Sequence, residues 1–274
     1  MNLADIDPRH QLPARDLFCG EAADPVQDYE VNGFRIMRCR RCGLAWSDPH
    51  IAPAALFESV YTSDYGLEQA RDPAQRPLPS RLWRALRSKF TPTSGRGKRW
   101  HFVRQWLPAD AQVSFLEVGC WRGNLLALIA REQPRWKLRG LEPSPFAVER
   151  ARQAGLDVEQ GFLEDGSLPA DSFDGLCAWD VIEHTDDPAE FLRGARRVLR
   201  PGGRCILHCP NYASLRRRVK GARWNVLLPE QHRWHFTPAT LARLLGEVEA
   251  EVIHLSGGPL SLGSRIYAVI HWPA

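Results

Sequence analysis

No apolar run in this 274-residue chain reaches more than about half of the ~20 residues that a membrane-spanning helix requires, so no transmembrane segment is expected. The opening MNLADIDPRHQLPARD lacks the basic-then-apolar pattern of an export signal, and the expected location is the cytoplasm. Seven cysteines are present, two as Cys39-x-x-Cys42 and the rest scattered, which suits a reducing compartment better than a disulfide framework. No internal repeat is visible. Acidic residues are missing from two long stretches. Residues 81–104 hold eight Lys/Arg and residues 191–229 hold ten, with no Asp or Glu in either. Such runs are either solvated basic faces or a docking surface for phosphate, nucleic acid or an anionic membrane; peripheral membrane contact stays open on that ground. What remains is ordinary for a globular protein: 44% hydrophobic, 25% charged, and a net charge of +4.

Three regions emerge. Residues 1–50 carry three cysteines and a hairpin-like pattern, YEVNGFRIMRCRRCGLAW, in which Asn32-Gly33 is a tight-turn signal. Residues 51–112 mix a Pro-rich run with the first basic stretch and read as a linker plus cap helices. From 113 to 274, strand-like segments (VSFLEV, WKLRGLE, LDVEQ, FDGLCAWD, GRCILHC, AEVIHL, RIYAVIHW) alternate with helix-like ones (NLLALIARE, PFAVERARQAG, DPAEFLRGARRVL, PATLARLLGEVE). Thr237-Pro238 reads as an N-cap pair, Gly155 as a C-cap, and Asp186 and Asp187 as caps of the helix beginning near Pro188. This alternation predicts an α/β fold with a mostly parallel sheet, helices on both faces, and a ligand beyond the carboxyl ends of the strands.

The stretch FLEVGCWRGNLL joins a strand to a helix through glycines spaced G-x-x-x-G, not the G-x-G-x-x-G of a dinucleotide site. Glu117 ends that strand, and a carboxylate there repels a pyrophosphate. It suits a cofactor that bears an ammonium and a sulfonium and no phosphate, and S-adenosylmethionine meets that description. Glu142, 25 residues on, ends the next strand, where an acid can accept both ribose hydroxyls.

The segments LEVGCWRG (116–123), GLEPSPFAVERAR (140–152), FDGLCAWDVIEHTDDPAEFLRGARRVLRPGG (173–203), CPN (209–211) and HRWHFTPATLARLL (232–245) together resemble class I S-adenosylmethionine-dependent methyltransferases. The likeness is greatest to the group of ubiquinone-pathway O-methyltransferases and bacterial sugar methyltransferases. It implies a Rossmann-like seven-stranded sheet with its last strand antiparallel. It also implies that Glu117, Gly119 and Cys120 line the methionine end and that Gly123 opens the helix. Glu142 would hold the ribose, with Pro143, Phe162 and Leu163 near the adenine. Phe162 stands where relatives often have an acid, so that hydrogen bond is either missing or supplied by Glu164 or Asp165. The backbone at Trp179 and Asp180 would meet the amino group. Trp121 replaces a frequent glycine; it fits if its backbone angles are ordinary, either as a cover or as an aromatic face toward the sulfonium.

For chemistry, Glu183-His184 falls at the crevice mouth and His232 in a segment that covers the acceptor pocket in relatives, beside His235. These are the candidate catalytic groups, set against the alternative of purely structural histidines. Tyr61 and Tyr65 are either pocket or packing residues. The insert 212–229 is expected to form an acceptor lid, and Arg216, Arg217 and Arg218 suggest, from charge alone, an anionic or lipid-linked small-molecule acceptor.

Cys39-x-x-Cys42 is half of a zinc ribbon, and Cys19 lies at a compatible distance ahead, with Asp16 in the position of the missing fourth cysteine. The segment resembles the ribbon that precedes the catalytic domain in some sugar methyltransferases. Asp16 can complete the set with Cys19, Cys39 and Cys42, His10 can replace it, or the metal has been lost. Cys177, Cys205 and Cys209 read as buried sheet residues. Two rival functions stand beside a small-molecule methyltransferase. One is an RNA base methyltransferase, against which WDVIEH lacks the Asn/Asp-Pro-Pro-aromatic run. The other is a non-catalytic binding protein, for which Trp121 and Phe162 speak.

Overall fold

The computed structural model describes residues 1–52, 95–108, 111–258 and 263–273. Tyr61, Tyr65 and most of the basic stretch 81–104 lie outside the described residues.

The strand-like runs that lack alternation are those buried on both faces. β1 (Gln11–Leu12), β2 (Pro25–Val31), β3 (Phe34–Cys39), β4 (Ala45–Asp48) and β5 (His50–Ile51) belong to the N-terminal region. β6 (Ser114–Val118), β7 (Lys137–Glu142), β8 (Val158–Gln160), β9 (Phe173–Trp179), β10 (Leu199–Pro210), β11 (Trp234–His235), β12 (Glu251–Leu255) and β13 (Arg265–His271) follow. Seven of them form one sheet in the order β12-β13-β10-β9-β6-β7-β8, with β13 antiparallel to both neighbours and β6, β7, β8, β9 and β10 parallel. The predicted Rossmann-like sheet with an antiparallel last strand is present. Its order reverses between β6 and β9, so the crevice opens where the carboxyl ends of β6, β7 and β9 meet.

The helices start where the cap residues dictate. α1 (Gly95–Val103) precedes the sheet, and α2 (Asn124–Glu132) follows the glycine turn. α3 (Pro145–Gln153) is capped by Ser144, whose hydroxyl accepts from Ala147 N. α4 (Pro188–Val198) is capped by Asp187, which accepts from Ala189 N and Glu190 N. α5 (Leu215–Lys220) is short, and α6 (Pro238–Glu247) begins with Thr237 and Thr240 in a reciprocal capping box. Each such cap contributes on the order of 1 kcal/mol.

The N-terminal hairpin turns at Asn32 and Gly33, both left-handed (φ 52° and 83°), as a two-residue type I′ turn demands. Its sheet runs in the order β11-β4-β3-β2, so its last strand is supplied by residues from the far end of the chain. Trp46 pairs with Trp234 and Ala45 with His235. Cys39, Leu44 and Trp46 share one apolar core with Trp234, Phe236, Leu241 and Leu244. The change near residue 50 is therefore a change of layer inside a common core. Arg217 of α5 adds a further tie. It donates to the Tyr29 hydroxyl (2.9 Å) and the Tyr212 carbonyl (2.6 Å), with its guanidinium 4.0 Å from the Tyr212 ring centroid.

Candidate active site

A cavity of about 1070 Å³ occupies the crevice at the carboxyl ends of β6, β7 and β9. One side of it is built from strand ends. Gly119 follows β6 in a left-handed conformation (φ 67°), and a Cβ added there would lie 2.6 Å from Val181 Cγ2. Glu142, at the end of β7, is held by two backbone donors: Trp121 N reaches Oε2 (2.9 Å) and Ser144 N reaches Oε1 (3.0 Å). Its carboxylate is thus fixed in direction while it borders the cavity. Burial, the largest influence, pushes the Glu142 carboxyl up, and those two N–H groups oppose it. Pro143, Phe162 and Leu163 complete this wall, and Phe162 is 43% exposed. Asp165 accepts from Phe162 N (2.8 Å), so one of the acids considered for the adenine spends an oxygen locally.

Other predicted residues stand behind the wall. Glu117 is 3% exposed, with Oε2 lacking a hydrogen-bond partner among the described residues. Burial pushes its carboxyl up to about 8, against the pull of Arg99. The Cys120 side chain packs with Leu126, Val148, Ala151 and Val158, so only its backbone belongs to the turn. Gly123 (φ 68°) caps α2, and a Cβ there would meet Leu156 at 2.2 Å. The Trp179 ring packs with Phe102, Tyr267 and His208. Trp121 borders the cavity, but its backbone is left-handed (φ 51°), not ordinary as its size requires for an unstrained fit. This is a correction: the turn keeps the conformation of the glycine and accepts the tryptophan at a cost of roughly 1–2 kcal/mol.

Asp180 is also left-handed (φ 57°). Its carboxylate accepts from Arg265 (2.8 Å) and Arg99 (3.1 Å) and lies 3.2 Å from His208 Nδ1. Burial opposes ionisation of Asp180, but His208, Arg265 and Arg99 outweigh it and hold the carboxyl well below its usual range. Arg96 and Arg265 border the cavity, and sequence reasoning passed over them along with Arg99. Arg96 and Arg99 stood in view as part of an acid-free run; nothing local marked Arg265.

On the opposite side, Glu183, His184 and His232 each place one nitrogen or oxygen within 4.8 Å of the others. The three predicted catalytic residues therefore meet, although His184 and His232 lie 48 positions apart in sequence. The two rings contact edge to face at 4.7 Å. His184 Nδ1 lies 3.0 Å from the Gln231 carbonyl, which can only accept. Nδ1 therefore carries the proton, and Nε2 keeps the lone pair. Burial pushes both imidazoles below their ordinary value, so they are neutral at pH 7, and pushes the Glu183 carboxyl well up. Asn225, Val226 and Leu228 of the insert 212–229 border the cavity. Arg216, Arg217 and Arg218 do not: Arg217 is engaged with Tyr29 and Tyr212, away from the cavity. The mouth instead carries Glu164, Asp165, Asp186, Asp187 and Glu190.

The cysteines converge as well. One ligand atom each of Asp16, Cys19, Cys39 and Cys42 lies within 4.8 Å of the others. Asp16 is buried; its Oδ1 accepts from Phe18 N and Cys19 N, both at 2.7 Å, and its Oδ2 from Cys42 Sγ at 3.0 Å. Three sulfurs and one oriented carboxylate are a donor set that fits tetrahedral zinc.

A family model described as "Methyltransferase domain" matches residues 74–255, and the chain belongs to this family, within the class I S-adenosylmethionine-dependent methyltransferases. Among curated proteins it is 38% identical over 96 residues to a probable S-adenosylmethionine-dependent methyltransferase of Mycolicibacterium smegmatis, covering 35% of this chain and 37% of that one. It is 32% identical over 157 residues to the ubiquinone biosynthesis O-methyltransferase of Azorhizobium caulinodans, covering 52% and 60%. The chain thus spans between about a third and three fifths of the length of such relatives. Two solved structures share the fold. One is a chain of the complex between the Haloferax volcanii Trm112 methyltransferase activator and a methyltransferase, with TM-score 0.52, 16% identity, and coverage of 65% of this chain and 91% of that one. The other is an S-adenosylmethionine-dependent methyltransferase from Mesorhizobium loti, with TM-score 0.50, 18% identity, and coverage of 62% and 96%.

Proposed function

We propose that this chain transfers the methyl group of S-adenosylmethionine to an oxygen or activated carbon of a small-molecule, sugar or lipid-linked acceptor. The observation that carries the reading is the two-sided cavity. One wall presents a carboxylate fixed by Trp121 N and Ser144 N, oriented for ribose hydroxyls, and the other presents His184 with its Nε2 lone pair. When bound, the cofactor supplies an electrophilic methyl group. Glu117, buried behind the wall, balances the charge of its amino group without lining the cavity, and Glu142 holds its ribose. Arg96 and Arg265 face its carboxylate. His184 Nε2 takes the acceptor proton, and neutrality before the reaction suits a base near pH 7. His232 and Glu183 bound the imidazole on its inner side.

The acids at the mouth favour an uncharged or cationic reacting end over a phosphate, and they disfavour the RNA reading because a nucleic-acid backbone would meet repulsion there. On a lipid-linked acceptor, the anionic part would stay outside. Asp16, Cys19, Cys39 and Cys42 hold a structural zinc ion in this reading, and its release by thiol oxidation should be visible with a colorimetric chelator. Titration calorimetry with S-adenosylmethionine tests the function: no binding at millimolar cofactor sinks it. Labelled-methyl screening of lysate metabolites then identifies the acceptor.

A further inference from the structure

The N-terminal region lines none of the cavity, yet its strand β4 runs directly into the acceptor wall. Ser47 of β4 is fully buried. Its backbone N–H donates to the Arg233 carbonyl (3.0 Å), and its hydroxyl donates to the His232 carbonyl (2.7 Å). That hydroxyl has one proton, so His235 Nε2, 3.0 Å away, must be the donor to Ser47 Oγ. Ser47 thereby fixes the tautomer of a buried histidine as well as the path of residues 232–235. Arg233 adds a tie in the same direction, donating to the Ile51 carbonyl (2.6 Å) while pairing with Asp186 (2.7 Å) at the cavity rim.

The held segment in turn positions the reacting groups. Arg233 N donates to the Glu183 carbonyl (2.9 Å), Trp234 Nε1 to the Thr185 carbonyl (2.9 Å), and the Gln231 carbonyl takes the His184 Nδ1 proton. A continuous chain of hydrogen bonds therefore leads from the cysteine module to the acceptor-side imidazole, with Ser47 as the crossing point. Among the described residues no comparable chain leads to Glu142, which accepts from Trp121 N and Ser144 N just beyond the ends of β6 and β7.

We propose that the cysteine module is a clamp for the acceptor wall, with Ser47 as its positioning residue, so that loosening it disorders residues 231–235 and 183–185 while the cofactor half stays intact. Asp16, Cys19, Cys39 and Cys42 gather the ends of β3 and the turn into β4, so occupancy of that cluster by zinc stiffens the strand that bears Ser47. The inference rests on the functional reading for what the acceptor wall does, but its test needs no acceptor.

Hydrogen exchange by mass spectrometry on the full chain decides it. In Ser47→Ala, peptides covering 229–237 and 181–187 should exchange at least tenfold faster than in wild type. Peptides covering 114–142 should be unchanged, and the dissociation constant for S-adenosylmethionine should move less than twofold. The ¹⁵N ring signals of His184 should shift from a single Nδ1–H form toward a tautomer mixture, which a purely structural role for Ser47 would not produce. Unchanged exchange at 229–237, or equal acceleration at 114–142, overturns the proposal. Should Ser47→Ala fail to fold, Ser47→Cys, which keeps the shape and weakens the hydrogen bonds, must show the same local pattern, and its absence counts against the clamp. A wild-type chain that binds no S-adenosylmethionine refutes the functional reading instead and leaves the exchange pattern to judge this one.

Discussion

Glu117 makes the pH dependence of cofactor binding a sharp test. Its carboxyl is pushed up to about 8 by burial, so the apo protein carries it mostly protonated below that pH. Binding of a cationic amino group requires the ionised form. Only about one molecule in a hundred is ionised at pH 6, about one in eleven at pH 7 and about half at pH 8, and apparent affinity scales with that fraction. The ligand opposes the trend at the upper end, because an α-amino group loses its charge above roughly 7.7–8.0. Combining the two, affinity should rise about 20-fold from pH 6 to pH 8, equivalent to about 1.8 kcal/mol, and decline again by pH 9.

Calorimetry in two buffers of different ionisation enthalpy measures both consequences. At pH 7, about 0.8 proton net should leave the complex for each cofactor bound, since about ten Glu117 carboxyls in eleven begin protonated and the ligand's amino group takes up about 0.1. Glu117→Gln should erase the acid limb and reduce the pH 6 to pH 8 ratio to below about threefold. Affinity that is flat between pH 6 and pH 8 in wild type, with no proton release, would refute the assignment of Glu117 to the amino group.

Glu142→Ala leaves Trp121 N and Ser144 N without their acceptor and removes the ribose contact; calorimetry should show S-adenosylmethionine binding weakened about 100-fold, or some 2–3 kcal/mol. Gly119→Ala places a Cβ 2.6 Å from Val181 in a left-handed residue, and scanning calorimetry should find Tm lowered by about 4–8 °C along with at least tenfold weaker cofactor binding. Glu183→Gln should act oppositely on stability. The folded carboxyl is raised above the unfolded value of 4.5, so apo stability is full below that pH and falls as pH rises toward the folded value. Glutamine cannot ionise, and apo Tm at pH 7.5 should rise by about 2–6 °C while methyl transfer falls.

Much of the catalytic layer was legible because its signals are local. The run WKLRGLE is apolar where β7 is buried, and its terminal acid lands at the crevice because parallel strands end together. Asp187 and Thr237 cap their helices because their side chains reach N–H groups only two or three residues away. Glu183, His184 and His232 converge, although no spacing rule relates residues so far apart. What escaped has long-range causes. β11 is two residues long, too short for any periodicity, and exists only because Trp46 and Ala45 offer it a partner. Ser47, between a tryptophan and an aspartate, reads as an ordinary strand residue; its role depends on His232 and His235, which lie 185 and 188 positions away.

Trp121 shows how the two kinds of information combine. The sequence left it between a cover and an aromatic face for the sulfonium. The turn holds it at φ 51°, with its N–H on Glu142, so the backbone does the work that the family assigns to glycine and the side chain is an addition to it. The guanidinium of Arg122 already lies 5.7 Å from its ring centroid. A π face shared with a permanent cation has less to offer a second one, since cation–π attraction is worth only ~1 kcal/mol at exposed sites and the two positive charges repel. The geometry therefore favours the tryptophan as a cover over the cofactor side. The roughly 1–2 kcal/mol of backbone strain is balanced by the hydrogen bond that also orients Glu142. The same bond that makes the strained turn tolerable also fixes the carboxylate at the cavity edge, so turn conformation and the direction of Glu142 are one feature of this site.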